Sequence, residues 1–306
     1  MRFTVQLPTD NVAAPDEFCT GDAIGEMAQA AEAAGFDACF VTDHPIPAAR
    51  WMEGGGHHTL DPFVALSFAA AATSRIRLQT HVLVLPYRNP FLTAKAAATL
   101  DVASGGRLIL GVATGYLKGE FAALGVDFEE RNELTDEALD AMQRVWSGEP
   151  FTLDGRRFAA GGNVALPRPL QKPRPPLWVG GNSKRAIRRA VESADGWLPF
   201  PTPASLSRHV RTAAIESLDD LAARLAYARE HAAAVGRTEP LDVCFVPFGF
   251  EIFARREPSP ERLAAHVEAL DRLGVTWLAI TVPCETRSEY LEKVSSLGGA
   301  GLFPGG

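Results

Sequence analysis

A chain of 306 residues, 46% of them hydrophobic and 22% charged, can bury a sizeable core and is not a disordered polymer. Its 27 glycines and 22 prolines follow no three-residue period, which excludes a fibre. The formal net charge of -7 argues against nucleic acid as the main partner, since a phosphate-tracking surface needs clustered base, while a small anion needs only a local basic spot.

Short apolar runs alternate with amphipathic helical patterns to the end of the chain. A strand at 2–7 precedes a helix at 21–34. A strand at 38–42 leads through a long connection, 44–60, into a helix at 61–73, where Pro62 takes the first-turn position at which its missing N–H costs nothing. A strand at 76–83 and a helix at 92–103, stopped by Ser104-Gly105-Gly106, come next. A strand at 107–112 is followed by a helix at 132–147, with Leu134, Ala138, Ala141, Met142 and Val145 on one stripe and Gly148 at its end. The proline-rich stretch 149–176 breaks the rhythm and reads as an insertion, with a hairpin of 151–153 and 156–158 around Asp154-Gly155. Strands at 177–180, 196–198, 241–246 and 277–281 then alternate with helices at 183–191, 204–235, 260–273 and 287–296. Eight strand-then-helix units over 1–306 predict a single closed (β/α)8 barrel, with long insertions in the loops of its C-terminal rim. An open doubly wound sheet usually fits fewer strands.

Cys19, Cys39, Cys244 and Cys284 form no CxxC pair and are too sparse for a disulfide scaffold; Cys39, between Ala38 and Phe40, reads as a small buried hydrophobe. The apolar start is too short for a signal peptide, and no 18-residue uncharged apolar stretch reads as a membrane span. The expectation is a cytoplasmic protein with neither membrane nor nucleic-acid partner.

A parallel barrel carries its site at the C-terminal ends of its strands. Those ends hold Gln6, Asp43-His44, His81, Ala113-Thr114-Gly115-Tyr116, Gly180-Gly181-Asn182 and Thr281. Histidine alone titrates naturally near neutrality, so His44 is the first candidate for proton transfer, with Asp43 beside it; the bland alternative is that Asp43 caps a turn and His44 packs locally. His81 reads equally as a hydrogen-bonded residue of the wall. His57 and His58 share the rim with these two, which raises a metal site, but the first strand ends in Gln6-Leu7-Pro8-Thr9 rather than His-x-His, and no metal is expected. Trp51 and Met52 either wall an apolar pocket or anchor their loop. Gly111-Val112-Ala113-Thr114-Gly115 and Gly180-Gly181-Asn182-Ser183 let a ligand approach the backbone, and the helix start after Ser183, with Lys184 and Arg185 behind it, suits a phosphate. Neither segment is a Walker A loop or G-x-G-x-x-G, and the chain has no G-x-S-x-G elbow. Glu120, after Gly115 to Gly119, reads either as lining the rim or as fixing its loop by an ion pair with Arg131. A phosphate-bearing cofactor that supplies redox chemistry is the best fit.

Taken in order, the segments Ala33-Ala34-Gly35-Phe36-Asp37, Asp43-His44, Arg75 to Pro86, Ala94-Lys95, Thr99-Leu100-Asp101, Ser104 to Leu108, Gly111 to Tyr116, Glu120-Phe121, Pro175 to Gly181 and Asp195-Gly196-Trp197 resemble the luciferase-like oxidoreductase superfamily, and particularly its coenzyme F420 branch. The resemblance implies a TIM barrel, often dimeric, that binds F420 or FMN at its C-terminal rim. It maps the branch's Asp-His pair onto Asp43 and His44, near the reactive face of the cofactor. It implies a non-prolyl cis peptide at His81–Val82, in a bulge with Thr80 behind the ring. It also implies contacts to the ring edge, ribityl chain and phosphate from Ala113, Thr114, Gly115, Gly180, Gly181, Asn182 and Ser183. Ala113 stands where the family often has Gly, and Tyr116 where it often has Trp. The function implied is hydride transfer between reduced F420 and a small organic substrate. An FMN-dependent monooxygenase using O2 and a non-catalytic flavin-binding protein are the alternatives, and a homodimer is expected.

Overall fold

Along each short strand, side chains alternate between two apolar environments, as a closed parallel barrel under a coat of helices requires. The computed structural model describes residues 1–250 and 259–299. Its strands are β1 (Arg2–Gln6), β2 (Ala38–Val41), β3 (Arg77–Val84), β4 (Leu108–Ala113), β5 (Phe151–Asp154), β6 (Ala159–Asn163), β7 (Leu177–Gly180), β8 (Gly196–Leu198), β9 (Asp242–Phe245) and β10 (Trp277–Ile280). All but β5 and β6 close into one barrel, in the order β1-β10-β9-β8-β7-β4-β3-β2 and back to β1, and every pairing in it is parallel. The fold is a (β/α)8 TIM barrel.

Inside, Ala38, Phe40, Ile109, Trp178, Leu198, Cys244, Trp277 and Ala279 fill the lumen. Outside, Phe3, Val5, Cys39, Leu78, Leu110, Val179, Phe245 and Leu278 pack under the helices in a second, larger cluster. Cys39 is fully buried, as its neighbours in sequence imply. Val82 and Val246, only partly buried, pack against the lumen cluster and so belong to the barrel's interior.

The helices start and stop where the local chemistry says. Asp61 accepts from the N–H groups of Phe63 and Val64 and starts Pro62–Ala72, while Gly148, at φ 69°, ends Arg131–Ser147. One long helix is corrected. The pattern at 204–235 is two helices, Ala204–Ser207 and Leu218–Ala234. Between them the backbone turns back so that Thr202 and Ile215 exchange hydrogen bonds of 3.0 Å, and Ser217 caps the second helix. The hairpin is corrected too. Its second strand is Ala159–Asn163, because residues 155–158 form the turn, held by the Glu137 carboxylate on the Arg156 N–H at 2.7 Å. This ribbon joins the end of a helix to the start of β7, so it leaves and re-enters at the N-terminal face; the long rim loop is 44–60. Among the described residues, no helix is long and apolar enough to cross a membrane.

Candidate active site

The sequence pairs Asp43 with His44, but adjacent residues of an extended segment point opposite ways, and the structure gives the two different work. Asp43 is buried, with a carboxylate that accepts from the Val84 N–H at 2.9 Å and from Arg88 at 2.8 Å. Burial pushes its pKa up against the pull of Arg88 and of that amide. Arg88 in turn reaches Asp61 at 3.0 Å, so Asp43 ties the exit of β2 to the exit of β3 and to the following helix cap. The Asp43 carboxylate directs its hydrogen bonds to Val84 and Arg88 and does not orient His44.

Glu120 does. Its carboxylate is fully buried and lies 3.3 Å from His44 Nδ1, while accepting from the Tyr87 hydroxyl at 2.8 Å and from the Ile46 N–H at 3.2 Å. The expected pairing of Glu120 with Arg131 is not made; Arg131 donates to the Phe128 carbonyl and pairs with Glu129. Facing a carboxylate, Nδ1 carries the proton, and Nε2 is left as the acceptor. The backbone N–H of His44 donates to Thr59 Oγ1 at 2.8 Å, closing the base of the loop 44–60. Within that loop the helix Ala49–Glu53 lays Trp51 against His44, with ring centroids 4.7 Å apart. His57 meets His44 edge-on at 4.9 Å and Tyr116 meets it at 6.2 Å. His44 thus stands in an aromatic box, with a carboxylate behind it. Burial, then the neighbouring His44, lowers the His57 pKa to about 4, and its Nε2 is buried without a hydrogen-bond partner. Burial pushes the Tyr116 hydroxyl up to about 12.

His81 and Val82 lie where β3 loses register with β4, between Thr80 and Leu83. The His81–Val82 peptide bond is cis, at the position that the family resemblance implies. The irregularity lets two successive side chains face inward: His81 packs on Phe40 at 4.7 Å and meets Gln79 at 3.2 Å, and Val82 joins the lumen cluster. Burial lowers the His81 pKa to about 4, so the ring is neutral at pH 7. Thr80 is different: it is fully buried and donates to the Gly111 carbonyl at 2.6 Å, so its side chain stays in the wall.

Val82, Ala113 and Gly180 come together, since a Cβ on Gly180 would lie 3.3 Å from Val82 and 3.5 Å from Ala113. Gly115, at φ 78°, has no room for a side chain beside Val84. Small residues on neighbouring strands leave a smooth apolar surface beside a polar wall, a cradle that fits a planar ring system. Thr114 accepts from Arg189 at 3.1 Å.

The turn after β7 is mostly spoken for. Gly181 N–H donates to the Leu198 carbonyl and Asn182 N–H to the Thr212 hydroxyl at 2.7 Å. The Asn182 side chain is buried and braces Phe200, Thr202 and Ala213, while Ser183 caps the helix Lys184–Ser193 through the Ala186 N–H. Lys184 lies over the Tyr227 ring, and Arg185 pairs with Glu133 and Asp136. The Gly181 and Asn182 amides and both basic side chains therefore have partners within the chain. His58 is exposed, and among the described residues no three His, Cys, Asp or Glu side chains are grouped to hold a metal ion.

Comparison with known proteins agrees with this architecture. The model of the luciferase-like monooxygenase family matches residues 1–271. An uncharacterised protein of Mycobacterium tuberculosis is 30% identical over 257 residues, 83% of this chain and 80% of its own. An F420-dependent glucose-6-phosphate dehydrogenase of Beutenbergia cavernae is 38% identical over 172 residues, 55% of this chain and 49% of its own. An FMNH2-dependent dimethylsulfone monooxygenase of Pseudomonas putida is 31% identical over 176 residues, 56% of this chain and 46% of its own. Among solved structures, a monooxygenase of Streptomyces bottropensis superposes with a TM-score of 0.79 at 20% identity, covering 99% of both chains. The coenzyme F420-dependent tetrahydromethanopterin reductase of Methanopyrus kandleri superposes with a TM-score of 0.72 at 18% identity, covering 97% of both. With its barrel closed and nearly nine tenths of its length matched by one family model, the chain belongs to the luciferase-like monooxygenase family of oxidoreductases.

Proposed function

We propose that this chain is a coenzyme F420-dependent oxidoreductase that moves a hydride to or from a small organic substrate at the barrel mouth. The observation that carries this reading is His44, boxed by Trp51, His57 and Tyr116 and held by Glu120 through Nδ1. When bound, the deazaflavin supplies or accepts the hydride. The chain's own residues hold the ring and handle the proton. Val82, Ala113 and Gly180 would supply the apolar surface that holds it, with His81, neutral at pH 7, among the residues beside it. His44 Nε2 takes or gives the proton that accompanies the hydride, while Glu120 fixes the ring and stabilises it when protonated. Trp51 and Tyr116 exclude water from that exchange.

The second reading, an FMN-dependent monooxygenase, is favoured by the Pseudomonas putida relative. A fluorescence titration of the purified chain with F420, and separately with FMN, separates the two. Tight, saturable binding of F420 without FMN is expected; FMN binding alone would establish the second reading, and binding of neither would end both. The cytoplasm is the compartment proposed.

A homodimer belongs to the same proposal. The helix Pro62–Ala72 is apolar on both sides, burying Ala65, Leu66 and Ala69 while Val64 and Phe68 stand exposed. Leu92, at the start of the neighbouring helix Pro90–Ala103, is exposed as well. Light scattering at micromolar concentration is expected to give twice 32.8 kDa, and a monomer mass would refute the dimer.

A further inference from the structure

A buried carboxylate with no strong cation beside it depends on its hydrogen-bond donors to stay ionised. Glu120 is such a group. Its side chain is fully buried, and among the described residues no Lys or Arg lies within ion-pair distance of it. The Ile46 N–H takes Oε1 at 3.2 Å, while the Tyr87 hydroxyl, at 2.8 Å, and His44 Nδ1, at 3.3 Å, share Oε2. The tyrosine makes the shortest of these contacts, and it makes it on the oxygen that faces the imidazole.

The fold fixes Tyr87 in that place. It closes the short turn Leu85–Tyr87 after β3, the strand that carries His81 and Val82. Its ring meets Phe121 edge-on, with centroids 4.8 Å apart, and Phe121 is fully buried and follows Glu120 on the helix Lys118–Ala123. Ring and hydroxyl thus hold neighbouring residues of one helix, and the chain Tyr87–Glu120–His44 ties together the exits of β2, β3 and β4. Burial, then the charge of Glu120, pushes the Tyr87 hydroxyl far above its ordinary range, so it keeps its proton and serves as a donor. Tyr116 makes a contrast: it stands in the box around His44, yet among the described residues it makes no hydrogen bond to Glu120.

We infer that Tyr87 is a positioning residue of the His44–Glu120 pair: its hydroxyl holds Oε2 against Nδ1 and takes a share of the carboxylate charge, which limits how tightly the pair holds a proton. That the pair handles the proton of a hydride transfer rests on the function proposed above; the sharing of Oε2 does not. Asp43, His57 and Tyr116 also face the pair, from the exit of β2, the loop 44–60 and the exit of β4. Tyr87→Phe keeps the ring against Phe121 and leaves those three in place, so it isolates the hydroxyl.

The test is an NMR titration of the full chain, isotope-labelled at histidine, that follows the His44 ring nitrogens against pH and assigns them by their loss in His44→Gln. Removing a donor from a buried anion makes the pair more basic whichever partner takes the proton. Tyr87→Phe should therefore tighten the pair's hold on its proton about threefold or more, while Tyr116→Phe leaves it unchanged. A ring-fluorinated tyrosine at position 87, whose more acidic hydroxyl donates more strongly, should loosen that hold, and it carries the test if Tyr87→Phe does not fold. An unchanged titration in a folded Tyr87 variant, or equal shifts from Tyr87→Phe and Tyr116→Phe, would overturn the proposal. In turnover with F420, the ionisation in the kcat profile should move to higher pH in Tyr87→Phe by the shift that NMR records, with KM unaltered. If F420 does not bind, or if kcat ignores a shift that NMR records, the role of His44 in the proposed reaction fails, and the control of the pair by Tyr87 stands.

Discussion

His44 and Glu120 are 76 residues apart in sequence and 3.3 Å apart in space, and their pairing sets what each residue does at the mouth. If His44 moves the proton, His44→Ala should bind cofactor as the parent does and lose about 10²–10⁴ in kcat, with the loss in kcat rather than KM. An unchanged kcat would assign the proton elsewhere. Glu120→Gln should lower kcat and displace the ionisation in its pH profile, whereas a purely structural Glu120 would change stability and leave the profile in place. The Asp43-His44 pair was legible because an acid and an imidazole directly follow an apolar strand. Their division of labour was not, since which side chain a strand exit turns inward depends on what its neighbours offer: here Arg88 and the Val84 amide for Asp43, and a buried carboxylate for His44. The pairing of Glu120 with His44 was not legible for the same reason. The position of Glu120 before Phe121, on a short helix, gave no periodic signal of burial.

At the scale of elements, the loop 44–60 is a self-packed unit. His44 and Thr59 close its base, and Trp51 fills it so tightly that a Cβ on Gly56 would lie 2.2 Å from the indole. Gly56→Ala should therefore displace Trp51 from His44, speed proteolytic cutting inside the loop by about tenfold, and leave the melting temperature nearly unchanged, because the opening is local. A fall in melting temperature without faster cutting would mean that the loop is part of the global core. The barrel strands were readable from apolar runs bounded by turn residues, and the helix starts from their caps. The break at 208–217 was not readable, because Thr202 pairing with Ile215 is a tertiary event that overrides the helical pattern on either side. Gly-Gly-Asn-Ser before two basic residues reads as a phosphate turn, and what the sequence does not show is that Thr212 and the acids of the helix Arg131–Ser147 partner the Asn182 amide and Arg185.

For the molecule as a whole, the shifted groups set how stability follows pH. His57 and His81 have folded-state pKa values near 4, against 6.5 when unfolded, so between those limits the unfolded chain holds their protons and stability falls as pH drops. Burial raises the Asp10 pKa to about 6 from 3.8, so in nearly the same window the folded chain holds that proton, and stability falls as pH rises. Two histidine terms oppose one aspartate term, and among these three groups the net effect is loss of stability from pH 6.5 down to 4. Asp10→Asn should steepen that loss and His57→Gln should flatten it, read as melting temperature against pH. If His57→Gln leaves the slope unaltered, the ring is not held neutral in the fold.

All of these readings place the chemistry at one mouth, between the aromatic box around His44 and the apolar cradle of Val82, Ala113 and Gly180. A crystal structure of the chain with its bound cofactor tests this most directly. The account predicts the ring system lying on that cradle, with His44 Nε2 at hydrogen-bonding distance, about 3 Å, from the group on the substrate side of the reactive face. A pose in which His44 stands more than about 8 Å from that face, beyond the reach of a direct or single-water proton transfer, would contradict it.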